Sequence, residues 1–133
     1  MRRKSRELAL QILFQTEFTP EVTMQDMVSV FEKKIDTQIM DYTMVLVKGV
    51  KLHKEKIDNQ IQEASRHWKI ERMASVDRNI LRSAVFEMLH AAEPMEPKIV
   101  INESIEIAKV FGTQDSGSFV NGILDQIVRN DRD

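Results

Sequence analysis

Apolar residues recur at helical spacing through most of this chain, and no two stretches offer a credible strand pairing. Between about Val76 and Ala92, Ile80, Ala84 and Met88 lie in one i, i+4 row and Leu81, Val85 and Leu89 in the next, as on a buried helix face. A closing helix from about Ser116 to Arg129 carries Val120, Ile123, Leu124, Ile127 and Val128 at the same spacing. An opening helix runs to about Phe18 and stops before Pro20. Lys4, Glu7, Gln11 and Gln15 line one strip of it, while Leu8, Ala9, Leu10, Ile12, Leu13 and Phe14 cover most of the rest. A helix this apolar is mostly buried. With no repeat and no low-complexity stretch, the chain is expected to be all-α: a compact single-domain bundle of about six or seven helices over residues 1–133, with 129–133 frayed.

The intervening segments fit that scheme. Residues 21–35 form a short helix with Met24, Met27, Val28, Phe31 and Ile35 on one face. A longer helical region from about Asp36 to Arg66 carries Ile39, Tyr42, Leu46, Val50, Ile57, Ile61 and Ala64, with Gly49 as a possible bend. Lys48, Lys51, His53, Lys54 and Lys56 make its outer face basic, which reads as a solvated face. Trp68, Ile70 and Met73 form a short apolar plug, with Trp68 as core filler. Ser75 is placed to cap the helix that follows, and Asp77 falls in its first turn, where a carboxylate suits the helix dipole. Pro94 and Pro97 break the chain, and Pro97 suits the first turn of a helix holding Val100, Ile101, Ile105, Ala108 and Phe111.

Chemistry of most kinds finds no support. There is no cysteine, hence no disulfide framework, thiolate or thiolate-bound metal. His53, His67 and His90 lie in different segments, outside any Ser/His/Asp pattern and without His-x-x-x-His or Glu-x-x-His spacing, so neither catalytic nor metal residues are expected. Glu103 and Glu106 share a helix face, which reads as solvated. No apolar run approaches the ~20 residues of a membrane span, and no cofactor is implied. A net charge of -2 argues against a protein that coats nucleic acid wholesale, but leaves room for a local basic patch.

Two stretches could form such a patch. Arg2-Arg3-Lys4-Ser5-Arg6 places four basic residues in five positions on a helix anchored to the core. Gly112 suits a helix stop, and Asp115 and Ser116 suit the cap of the next helix, whose amide-rich, positive end favours an anion. Gly112 and Gly117 stand five residues apart, but no Lys follows the second, so a P-loop is excluded. Phe119 lies about 110° from the centre of the last helix's apolar stripe, on its flank, where it can either stack on an unpaired base or pack against a neighbouring helix.

The same residues carry a family resemblance. Asn102-Glu103-Ser104-Ile105-Glu106-Ile107-Ala108-Lys109-Val110-Phe111-Gly112, followed by Phe119-Val120-Asn121-Gly122-Ile123-Leu124-Asp125, resembles the signature of the NusB family. The opening Arg2–Gln15, Leu46–Val50, Ile57-Asp58 and the middle run Val76–Glu87 are similar to that family in the same order, with the weakest likeness at about 17–40. The resemblance implies an all-helical protein that is not an enzyme and that acts in the cytoplasm. Such a protein binds single-stranded boxA RNA of ribosomal RNA leaders together with the ribosomal protein NusE, and joins the antitermination complex on RNA polymerase. By motif position, Arg2, Arg3, Lys4 and Arg6 would contact RNA backbone, with Gln11 following on the same helix. Asp115, Ser116 and Phe119 would supply polar and stacking contacts, and Asp77 would meet NusE. Ser118 stands where many members have Lys, and Ser5 where many have Ala. The other readings are a helical adaptor without RNA binding, and a relative of the RNA-binding domain of ribosomal RNA methyltransferases, for whose cofactor domain this length leaves no room.

These expectations meet in one requirement: the charged start of the first helix and the head of the last helix must share a surface.

Overall fold

A computed structural model describes residues 2–19, 24–31 and 34–132. Among them are seven α-helices and no strand: α1 (Arg2–Phe18), α2 (Met24–Phe31), α3 (Thr37–Leu52), α4 (Lys54–Ala64), α5 (Ser75–Val85), α6 (Pro97–Phe111) and α7 (Ser116–Arg132). Part of the helix expected over 21–35, and the side chains of Met24 and Phe31, lie outside the described residues. Helix α7 continues to Arg132, past the expected stop at 129.

Helix α5 is the centre of the bundle and packs against α1, α3, α4, α6 and α7. Residues 79–88 are buried without a break, which is why two adjacent apolar rows were needed rather than one. Its polar residues are tie-points to other helices. Arg82 forks onto Asp58 of α4 at 2.8 and 3.0 Å and reaches Glu17 of α1 at 3.1 Å. Glu17 also accepts from Arg78, from Ser75 at 3.0 Å and from Asn79 at 3.2 Å. Ser75 therefore does not cap α5: its hydroxyl is turned to Glu17, and Ala74 holds the cap position.

Beyond Val85 the helix widens into a π turn over Phe86–His90, closed by the Ala91 amide donating to the Phe86 carbonyl at 2.9 Å. The Phe86 ring lies on Gly49, where a Cβ would fall 2.2 Å from a ring carbon. Close approach, rather than a bend, explains that glycine. The long helix expected over 36–66 breaks at His53, which ends α3 and begins α4. Ile70 and Met73 are buried in and beside a single 3₁₀ turn, as expected of the plug. Trp68 is 62% exposed, so its reading as core filler is corrected.

Pro97 occupies the first turn of α6. Helices α6 and α7 form the most extensive pair in the fold, joined by a turn of four residues. Helix α1 runs antiparallel to α5, with Glu17 at the start of α5 and Arg6 beside Glu87 near its end. Both ends of α1 are thus fastened to the central helix.

Candidate nucleic-acid interface

The four basic residues of the opening segment have different surroundings. Arg6 is 6% exposed and forks onto Glu87, itself 1% exposed, at 2.7 and 3.0 Å. Burial works against the Arg6 charge, but the Glu87 carboxylate outweighs it, holding the guanidinium above its usual range. The expectation that Arg6 meets RNA phosphate is therefore corrected: on this amphipathic helix, position 6 faces inward with Leu10 and Leu13. Ser5 is buried too. Its hydroxyl donates to the Ile39 carbonyl at 2.8 Å, fastening α1 to α3.

Arg2, Arg3 and Lys4 are exposed. Arg3 forks onto Glu103 of α6 at 3.0 and 2.7 Å, and this guanidinium holds the Glu103 carboxyl below the usual carboxylate range. Glu103 is thus a bridge between helices, not the freely solvated acid expected. The Arg2 guanidinium stacks 3.7 Å from the centre of the Tyr42 ring. Among the described residues Arg2 and Lys4 have no carboxylate partner, so their positive charges are not locally neutralised.

At the other stretch, Gly112 has φ -98° and ψ -161°, an extended conformation open to any residue. Glycine is required by crowding: a Cβ would fall 2.3 Å from Ser116 Oγ and 2.9 Å from the Ala108 carbonyl oxygen. Ser116 is 1% exposed, and its Oγ accepts from the Thr113 amide at 2.8 Å. Its expected RNA contact is corrected as well, because the hydroxyl faces back into the turn. Asp115 is exposed. Phe119 is partly buried, packed against the core on the flank expected of it. Gln11 is half-buried.

Helix α6 joins the two stretches. Glu103 meets Arg3 on one side, while Gly117 backs onto Ile105 and Lys109 on the other. At about 100° per residue, Asn102, Glu106 and Val110 fall between those two sides, and all three are exposed. Arg3 and Gly117, one from each stretch, therefore flank the outer stripe of α6 on its two sides. Glu106, paired with Lys109 at 3.0 Å, lies in its middle.

Asp77 is at the opposite end of α1, where Glu17 meets Ser75. It is 9% exposed, and one carboxylate oxygen is buried without a hydrogen-bond partner. Nearby on α1, the rings of Phe14 and Phe18 lie 4.7 Å apart at a tilt of 41°, with Phe18 64% exposed. Helix α1 has 17 residues, so about 25 Å separates this end from the basic start.

Sequence reasoning read Tyr42 only as part of an apolar stripe, Glu103 as a solvated acid, and Glu87 only as a motif letter. One signal was available for Glu87: a carboxylate inside Val85-Phe86-Glu87-Met88-Leu89 requires a buried cation from elsewhere. No group of three metal-ligating side chains occurs among the described residues, and no helix there is long and apolar enough to cross a membrane.

The NusB family matches residues 3–129. A transcription antitermination protein NusB from Bdellovibrio bacteriovorus is 58% identical over 126 residues, covering 95% of this chain and 93% of that protein. One from Anaeromyxobacter dehalogenans is 43% identical over 129 residues, covering 95% and 89%. Among solved structures, T. maritima NusB superposes with a TM-score of 0.86 at 35% identity, over 97% of this chain and 91% of that one. A crystal structure of antitermination factors NusB and NusE in complex with dsRNA superposes with a TM-score of 0.78 at 28% identity, over 97% and 96%. Matched over nearly its whole described length, the chain belongs to the NusB family of transcription antitermination proteins, which are not enzymes.

Proposed function

We propose that this protein binds single-stranded boxA-type RNA in nascent ribosomal RNA leaders, jointly with NusE, and so joins the antitermination complex on RNA polymerase in the cytoplasm. The observation that carries this reading is the outer stripe of α6, flanked by Arg3 on one side and by Gly117 at the head of α7 on the other; the reading sets Arg2, Lys4, Asp115 and Phe119 along the same strand of RNA. Cations there neutralise phosphates without reading sequence. An aromatic flank and exposed polar groups suit splayed bases, which is where sequence choice in unpaired RNA arises. Arg2 and Lys4 carry most of the electrostatic part, Arg3 shares its charge with Glu103, and Gln11 is a secondary contact. The NusB–NusE–dsRNA neighbour supports a shared assembly, and buried Asp77, with one carboxylate oxygen unpartnered at the end of α1 that carries exposed Phe18, suits a protein partner there. Residues 1–133 act in this reading as one domain.

The test is RNA binding across a salt series, with and without NusE. Ternary binding is expected to be the tighter. Neutralising Arg2 or Lys4 should flatten the salt slope by about 0.7 to 1 each. Phe119→Ala should cost about 1–3 kcal/mol of RNA affinity through lost stacking. Asp77→Lys should weaken NusE binding and leave binary RNA binding unchanged. RNA affinity indifferent to Arg2, Lys4 and Phe119 would instead favour a helical adaptor.

A further inference from the structure

Stacking and hydrogen bonding use different parts of a guanidinium. Its face meets an aromatic ring, while its five N–H donors radiate from its edge. Arg3 and Arg6 have both lost an edge to a carboxylate. The Arg2 guanidinium carbon lies over the Tyr42 ring, 3.7 Å from its centroid, and no hydrogen bond or ion pair among the described residues takes up the N–H donors of Arg2. It is therefore the arginine of the segment best prepared for a bidentate phosphate contact.

Tyr42 is itself held in place. Its hydroxyl donates to Glu87 Oε2 at 2.5 Å, and Glu87 is the carboxylate locked by Arg6. The Met95 sulfur lies 3.4 Å from Arg6 Nη2 and 3.7 Å from the Tyr42 hydroxyl, closing the same cluster. Ser5 and Thr43 fasten the adjoining backbones of α1 and α3. A connected path thus runs from a buried ion pair, through a half-buried ring, to an exposed cation.

We propose that Tyr42 is a positioning residue for RNA: its ring holds the Arg2 guanidinium with its donor edge open to a phosphate, and the Arg6–Glu87 pair holds the ring. This rests on the RNA-binding reading above and adds to it a residue that need not touch RNA.

The experiment measures boxA-type RNA affinity and thermal stability for Arg2→Ala, Tyr42→Leu, Tyr42→Phe and the Arg2→Ala/Tyr42→Leu double variant. Tyr42→Leu removes the π face and should weaken binding about two- to fivefold, the range expected of an exposed cation–π pair. In the Arg2→Ala background the same change should have no further effect, because the two residues act as one unit. Tyr42→Phe keeps the ring but removes one of the two hydrogen bonds to Glu87 Oε2, so it should lower the melting temperature while holding RNA affinity within about twofold. If Arg2→Ala weakens binding and Tyr42→Leu does not, positioning is refuted and the RNA reading survives. Equal affinity losses in the Phe and Leu variants, tracking stability, would reduce Tyr42 to a purely structural role. An Arg2→Ala variant that binds like the parent overturns the reading at Arg2 and the positioning role with it.

Discussion

The most discriminating single change is Arg6→Ala, because motif position and structure give Arg6 opposite roles. Its guanidinium and the Glu87 carboxylate are 6% and 1% exposed and joined by two short hydrogen bonds. Removing one member of such a pair leaves a buried charge without its counterion, at a cost of about 3–5 kcal/mol. Tyr42 still donates to Glu87, which favours the lower end of that range. For a chain of 133 residues each kcal/mol corresponds to about 3–5 °C, so the melting temperature should fall by about 10–15 °C. Removing both charges, in Arg6→Met with Glu87→Leu, should recover much of the loss. The residue of the cost is then the Tyr42 hydroxyl, about 1–3 kcal/mol, which Tyr42→Phe should relieve. The assay is guanidinium denaturation followed by helical circular dichroism; Trp68, largely solvated, is a poor reporter of the core. RNA binding, measured well below the melting temperature, should stay within about twofold for Arg6→Ala. A variant that loses less than about 1 kcal/mol of stability but most of its RNA affinity would refute the reasoning and return Arg6 to the RNA surface.

Stability should fall with acid in two stages. Burial, then His53 and Lys56, hold His90 below its ordinary value, so the fold keeps it neutral; that contribution is complete above about pH 6.5 and declines as the pH falls below it. His90→Gln should remove this upper stage from a plot of melting temperature against pH. Glu17, despite its burial, is held below the usual carboxylate range by Arg78, Ser75 and Asn79, and Glu103 by Arg3. Their contributions are present above about pH 4.5 and are lost as each folded-state pKa is crossed, giving a steeper second stage. Gly49→Ala would drive a methyl into the Phe86 ring and should cost about 1–3 kcal/mol in denaturation experiments. Gly122→Ala meets open space on α7 and should stabilise the protein by about 0.5–1 kcal/mol; destabilisation would show a contact at that position that the fold lacks.

Helix number, the buried opening helix and the partly buried flank position of Phe119 were legible in advance, because each depends on where apolar residues recur along one helix. Residues whose roles depend on a partner far along the chain were not. Arg6 reads as one more cation in a basic run until Glu87, 81 positions away, is placed against it. Ser116 and Ser75 look like caps, yet each hydroxyl finds a better acceptor or donor in the fold: the Thr113 amide for one, Glu17 for the other. Trp68 lies in a segment too short to show a period, so its size suggested burial that the packing does not provide.

Local periodicity and chain-breaking residues alone determine that this protein is a helical bundle, and its ordered motifs determine its family. Which cations remain available to a polyanion is decided only by tertiary structure. Burying a charge is costly unless an opposite charge is brought to it, and on α1 the fold brings Glu87 to Arg6 and Glu103 to Arg3, leaving Arg2 on Tyr42 and Lys4 in water.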